Sequence, residues 1–256
     1  MIVNLMVVEL HIYGLEGIPE VKPGDDLATL IIEAADREGI GLMDGDVVVV
    51  SQKVVSKAEG RVVRLDTVQP SRFALNLAEA EGKDPRLVEL ILREAKRIVK
   101  ARDGHIITET LHGFVCANSG VDRSNIPGED VVSLLPVDPD ESARRIRDRI
   151  REIKGVDVAV VVTDTFGRAW RVGQVNFAIG VSGMKPLIDY RGVLDAYGYV
   201  LKATSIAVAD EVAAAAELVM GKVSRIPVAV VRGLRFIRGE GSARELVRPI
   251  KRDLFR

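Results

Sequence analysis

The chain has 256 residues and a formal net charge of -1, so no global field recruits nucleic acid. Its length supports a full core as one large or two small units, and 47% apolar residues with a mean hydropathy of +0.15 read as soluble and globular. The lone Cys116 excludes an internal disulfide and a Cys-based zinc knuckle, and His11, His105 and His112 form no spaced ligand set.

Residues 1–8 are apolar but short and lack a basic start, so no signal peptide is expected. No apolar run is long enough to span a bilayer, so no membrane partner is expected and the cytoplasm is the predicted location. The stretch 7–13 reads as a strand, and 14–26 as a turn-rich loop with two prolines. Leu27, Leu30, Ile31 and Ala34 share one helical face, with Asp25 or Asp26 as N-cap and Gly39 as the stop. Asp44-Gly45-Asp46 turns into a strand over 47–50, and a second short strand follows at 61–65.

Two amphipathic helices are predicted over 71–81 and 85–100, the second with Pro85 in its first turn. Arg93, Lys96, Arg97 and Lys100 read as its solvated face. Paired strands at 105–110 and 113–118 flank Leu111-His112; a polar loop covers 120–127 and a strand 131–135. A helix over 138–154 has an acidic first turn and a basic body, as its dipole favours.

The stretch 156–183 organises the chain. Val158 to Val162 is an unbroken apolar run, expected as a strand buried on both faces. It is predicted to end at Thr163-Asp164-Thr165, putting a carboxylate and two hydroxyls at a strand end. Arg168 and Arg171 follow, guanidinium groups suited to phosphate or carboxylate. Beyond it, 189–199 reads as loop, 203–208 as strand, 210–220 as an alanine-rich helix closed by Gly221, and 227–231 as a last strand. Ser242 to Glu245 forms a capping box before a final helix. Strands and helices mix without strict βαβ alternation, which places the fold in the α+β class.

Neither a Walker-type phosphate loop nor a dinucleotide-binding glycine fingerprint occurs. What remains is polar groups on loops that leave apolar strands: Lys57; Asp122, Ser124 and Asn125; Asp164 and Thr165; Lys222, Ser224 and Arg225. If these loops converge, two carboxylates are available for Mg²⁺ or Mn²⁺ and several cations for phosphate, the inventory of phosphoryl transfer. Taken singly each has a plain structural reading: Asp122 as a turn cap, Lys57 as a solvated lysine, Gly221-Lys222 as a dipole-matched helix end.

The segments GLEGIPEVKPGDDL, VVVVSQKVVSKAEGR, ITETLHGFVCANSGVDRSNI, LLPVDPDESA, VVVTDTFGRAWRVGQ, VADEVAAAAELVMGK and PVAVVRG run in order over nearly the whole chain. Together they resemble the coenzyme F-420-0 gamma-glutamyl ligase family, with GVDRSN and TDTFGRAWR the most specific pieces. The resemblance implies a GTP-dependent ligase that joins L-glutamate to a deazaflavin coenzyme precursor through an acyl phosphate, releasing GDP and phosphate, with later glutamates gamma-linked.

It further implies that Asp122 and Asp164 hold a first divalent cation and Thr165 a second. Ile18, Pro19, Glu20 and Val21 would meet GTP, as would Lys57, Asn125 and the loop Met220, Gly221, Lys222, Val223, Ser224, Arg225 and Ile226. Gln52 and Lys53 are nucleotide candidates that depart from the usual pattern, a serine being common at Gln52. Lys222 stands where some members have an acid. Arg168 or Arg171 is a candidate for a substrate carboxylate. The resemblance also implies a β-rich intertwined homodimer, a K⁺ requirement, and a single ligase module over 1–256, of one or two subdomains, without the flavin reductase-like domain that some relatives carry. Two other readings use the same residues: a metal-dependent small-molecule kinase or phosphatase, and a non-enzymatic nucleotide- or deazaflavin-binding protein.

Overall fold

A computed structural model describes residues 8–253. The chain opens with β1 (His11–Gly14), α1 (Leu27–Arg37), β2 (Val47–Ser51), α2 (Gln52–Ala58) and β3 (Val62–Arg64). Next come α3 (Arg72–Glu81), α4 (Pro85–Arg93), β4 (Ala95–Arg102), β5 (His105–Thr110), β6 (Val115–Ala117) and β7 (Val131–Ser133). After α5 (Pro139–Lys154) follow β8 (Ala159–Arg168), β9 (Arg171–Ser182), the short pair β10 (Ile188–Asp189) and β11 (Ser205–Ile206), α6 (Val208–Met220) and β12 (Val228–Arg232). The architecture is mixed α/β, with a five-stranded sheet ordered β1-β12-β2-β8-β9.

Alternation of side chains on that sheet builds two cores at once. Val48 and Val50, Val160 and Val162, and Val228 and Val230 face one way, packing with Ile31, Val55 and Ile146 of α1, α2 and α5. Val47 and Val49, Ala159 and Val161, and Ala229 and Val231 face the other way, against Val212, Ala213 and Ala216 of α6. A third core gathers α3 and α4 around Ile106, Val121 and Val132. β2 and β8 are parallel neighbours in register from Val47↔Ala159 to Ser51↔Thr163; the other pairs of the sheet are antiparallel.

Most expected elements are present, with helix N-caps at Asp26 and Asp138. Three differ. The helix expected over 85–100 ends at Arg93, and Ala95–Arg102 is a strand paired with β5. The basic residues spaced like a helix face are used across the strand pair instead, where Lys96 and Arg97 both bond Glu109. The capping box at Ser242 is formed, yet it opens only a single 3₁₀ turn, Ala243–Leu246.

The third difference bears on the site. The central strand does not stop at Thr163 but runs to Arg168 and returns as β9, a strand not anticipated. A register shift between Val162 and Thr163 separates the buried half of β8 from its projecting half. Glycines and polar residues in RVGQVNFAIGVS masked the strand pattern of β9. One of them, Gly180, is required by a close approach: a Cβ there would stand 2.2 Å from the Pro139 carbonyl oxygen at the start of α5.

Gly180→Ala should therefore push α5 off the sheet, at a cost of about 3 kcal/mol. Thermal unfolding should show a melting temperature lower by roughly 6–12 °C for a chain of this size. An unchanged transition would mean that α5 and β9 do not meet as described.

Candidate active site

A cavity of about 570 Å³ opens at the carboxyl ends of the parallel pair β2 and β8. In open α/β sheets this is where ligands bind, because both chains turn away there and leave a crevice. The turn after β2 is sharp. Ser51 ends the strand and caps α2, its side chain accepting from the Lys53 N–H. Gln52, Lys53 and Lys57 consequently enter the cavity wall from one helix. Gln52 is buried, with its side-chain oxygen accepting from Ser56 Oγ at 2.8 Å.

Most of the residues singled out in the sequence converge here. The loop carrying Ile18, Pro19, Glu20 and Val21 lines the cavity, as do Asn125, Asp164, Thr165, Met220, Gly221, Lys222, Val223, Arg225 and Ile226. Asp122 stands immediately behind the wall, and Ser224 belongs to the same loop as Lys222. Arg168 and Arg171 do not line the cavity. They face each other at the tip of the β8–β9 hairpin, four and seven residues past Asp164, or roughly 13 Å away for Arg168 at strand rise. There Arg168 donates to the Val172 carbonyl oxygen at 3.2 Å.

Lys53 is the electrostatic centre. Its ammonium donates to Asp122 Oδ2 at 2.7 Å and to Ser133 Oγ at 3.2 Å. Burial lowers its pKa, against the opposing charges of Asp122 and Asp164. Burial also works against the Asp122 carboxylate, but Lys53 and hydrogen bonds from Ser124 outweigh it, leaving that pKa below the usual value. Asp164 has weaker support: the Thr165 N–H and the more distant charges of Lys53 and Lys222. Burial prevails, and its pKa is pushed up to about 6. At the outer edge Lys57, itself buried, donates to Glu20 at 2.5 Å.

A second chain of contacts was not foreseen. Thr165 Oγ1 donates to Asn176 Oδ1 at 2.7 Å, and Asn176 Nδ2 donates to Glu217 Oε2 at 2.9 Å. Lys222 Nζ donates to Thr165 Oγ1 at 3.0 Å, and the Lys222 carbonyl accepts from Asn125 Nδ2 at 3.3 Å. Asn176 is placed by the β8–β9 register opposite Thr165, so recognising the hairpin would have found it. Glu217, an isolated acid on the alanine-rich α6, carried no such signal. Asn125 and Arg225 both have left-handed backbone, at φ 54° and 57°. For arginine this is a costly conformation, of a kind that clusters at ligand clamps.

The donor set suits one divalent cation at the two aspartates. Both present hard oxygen, and burial raises the pKa of Asp164, with Lys53 and Lys222 only partly offsetting it. Among the described residues no three Asp, Glu, His or Cys side chains cluster as a cage. An ion held there would have to complete its shell with water and phosphate oxygens, as Mg²⁺ does on one or two carboxylates.

A family model described as F420-0:Gamma-glutamyl ligase matches residues 17–233. The chain belongs to this family. It is 50% identical over 250 residues to a coenzyme F420:L-glutamate ligase of Methanopyrus kandleri, covering 94% of this chain and 97% of the relative. Relatives of the same name are each 45% identical: that of Methanothermobacter thermautotrophicus over 96% of this chain and 99% of its own length, and that of Methanocaldococcus jannaschii over 97% of each. Family membership thus spans both the main sheet and the third core, and includes every loop of the cavity.

The raised pKa of Asp164 makes a stability prediction for the metal-free protein. Between about pH 4 and pH 6 the native state holds a proton that the unfolded chain has released, so stability falls as pH rises through that window. Above it the full cost stands, on the order of 3 kcal/mol. Asp164→Asn should raise the melting temperature at pH 7.5 and leave it unchanged at pH 4. Equal effects at both pH values would show that Asp164 is not held in a desolvated place.

Proposed function

We propose that this protein is a GTP-dependent coenzyme F420:L-glutamate ligase working through an acyl phosphate. The observation that carries the reading is the meeting of Asp164, Lys53, Lys57 and Lys222 around one nucleotide-sized cavity, with Asp122 bonded to Lys53 just behind its wall, in a chain whose relatives bear that name. A carboxylate is a poor acyl donor at neutral pH. In the first step an oxygen of the precursor's carboxylate attacks the γ-phosphorus, the bond to the β-phosphate oxygen breaks, and GDP leaves. In the second, the glutamate amine attacks the acyl carbon, phosphate departs with the C–O bonding pair, and the amine loses a proton. Repetition on the product's side-chain carboxyl gives gamma-linked glutamates.

The chain's own groups have distinct tasks in this scheme. Lys57 and Lys222 offset phosphate charge, and the loops at 18–21 and 220–226 enclose the nucleotide. Asp122 and Asp164 would hold Mg²⁺ or Mn²⁺, which when bound neutralises charge on the transferring oxygens. GTP over ATP, and a dependence on K⁺, rest on the family resemblance alone. A homodimer likewise rests on the family resemblance. The reaction draws its nucleotide from the cytoplasm, where we place the protein. The names of the relatives favour this reading over a kinase, a phosphatase or a binding protein.

Incubation with the deazaflavin precursor, GTP, Mn²⁺ and L-glutamate should yield a product mass ladder in glutamyl steps. Repeated release of GDP and phosphate should occur only with glutamate present. Hydrolysis without glutamate incorporation would point to a phosphatase, and binding without turnover to a regulator. Asp164→Asn should lower turnover by more than about 100-fold, the upper range seen for partners merely outside a metal's ligand set, with its fold retained by circular dichroism. Turnover equal to that of the parent protein would remove Asp164 from the reaction.

A further inference from the structure

The family resemblance implies two divalent cations, one on Asp122 and Asp164 and another on Thr165. The residues present fit the first, where the Asp122 carboxylate keeps acceptor capacity and negative charge beyond its bonds to Lys53 and Ser124, and do not fit the second, where the donor is a neutral hydroxyl against an ammonium. We propose that the Lys222 ammonium is a built-in second cation, so that this protein binds one divalent ion per nucleotide where two are implied. The proposal rests on the nucleotide-binding reading given above.

The geometry at Thr165 carries it. Lys222 Nζ lies 3.0 Å from Thr165 Oγ1 and donates to it, so one of the two lone pairs of that oxygen is taken and a positive charge stands beside the other. The hydroxyl is not free to turn away from that ammonium. Its proton is committed to Asn176 Oδ1 at 2.7 Å, and the Asn176 amide is fixed in turn by its bond to Glu217 Oε2 at 2.9 Å. Asn176 is buried, so this orientation is set by packing as well.

Lys222 is held at its own end too. Its carbonyl oxygen accepts from Asn125, and the chain turns on either side of it through Gly221 and Arg225, both with φ of 57°. Among the described residues no carboxylate lies within ion-pair distance of Lys222, which acts on Asp164 only at longer range and has a neutral hydroxyl as its direct partner. A divalent ion on Thr165 would sit against that ammonium in a partly enclosed site, where repulsion is poorly screened. An ammonium facing triphosphate oxygens does the work of the missing ion, as a point charge on a flexible stem. Glu217, the acid at the far end of this network, is already bonded to Asn176.

The test is the Mn²⁺ stoichiometry of the full chain, read by electron paramagnetic resonance with a non-hydrolysable GTP analogue present. The parent protein should bind one Mn²⁺ per chain. Lys222→Glu should bind two, and Lys222→Gln should add a second ion more weakly. Two ions on the parent protein overturn the proposal. One ion on Lys222→Glu and on Lys222→Gln, both folded and both still binding the analogue, overturns it as well. Asp164→Asn in the same assay addresses the other reading: if the ion seen with the parent protein persists there, the aspartate site fails and the lysine assignment is judged on the two Lys222 variants alone.

Discussion

The site depends on one mostly buried ammonium that ties two parts of the chain together. Lys53 leaves the first turn of α2, at the end of the main sheet, and its ammonium reaches Asp122 and Ser133 beside the third core. An ammonium in that position is tolerated only with such partners, since an unpaired buried charge is strongly unfavourable. The pair therefore does more than neutralise Asp122. It fixes the distance between two cores that are built from different parts of the chain, and so sets Asp122 in the neighbourhood of Asp164. The same cation acts on Asp164 at longer range, which leaves that carboxylate incompletely compensated.

The sheet supplies the other half of the geometry. A parallel pair at its centre sends two chain ends out at the same edge, and each then does something different. β2 stops at a serine that caps a helix, which presents side chains from a rigid turn. β8 shifts register and continues as a projecting hairpin, so that Asp164 and Thr165 lie on a strand with a partner rather than on a free loop. Polar groups held by a ladder are placed more narrowly than groups on a loop tip, and charge-stabilising chemistry needs that narrowness.

Much of this was legible in the residues. The valine runs at 47–50 and 158–162 could only be central strands, and the caps at Asp26, Asp84 and Asp138 marked their helices. The acidic and basic loop residues were individually ambiguous, and only the family resemblance tied them together. What could not be read was pairing. Whether Lys96 and Arg97 decorate a helix or reach across to Glu109 depends on β5 lying alongside, a long-range fact. The return strand β9 was hidden because glycine and polar residues break its pattern, and Gly180 serves a contact with α5 rather than a turn. Asn176 became visible only with it, since its neighbour in space, Thr165, is its partner across the ladder.

The cations of the cavity are therefore not equivalent. Lys53 is tied to a partly buried aspartate and belongs to the frame. Lys57 is bonded to Glu20, whose side chain is 62% exposed. An ion pair with one partner in water is worth little, so Lys57 can exchange that carboxylate for a phosphate at small cost. Lys222 has only a neutral hydroxyl to leave. Binding a triphosphate then needs no rearrangement of the buried pair, only the release of contacts that were weak beforehand. The raised pKa of Asp164 follows the same logic: burial disfavours its charge, and a carboxylate so desolvated is one whose ionised form a bound cation stabilises most.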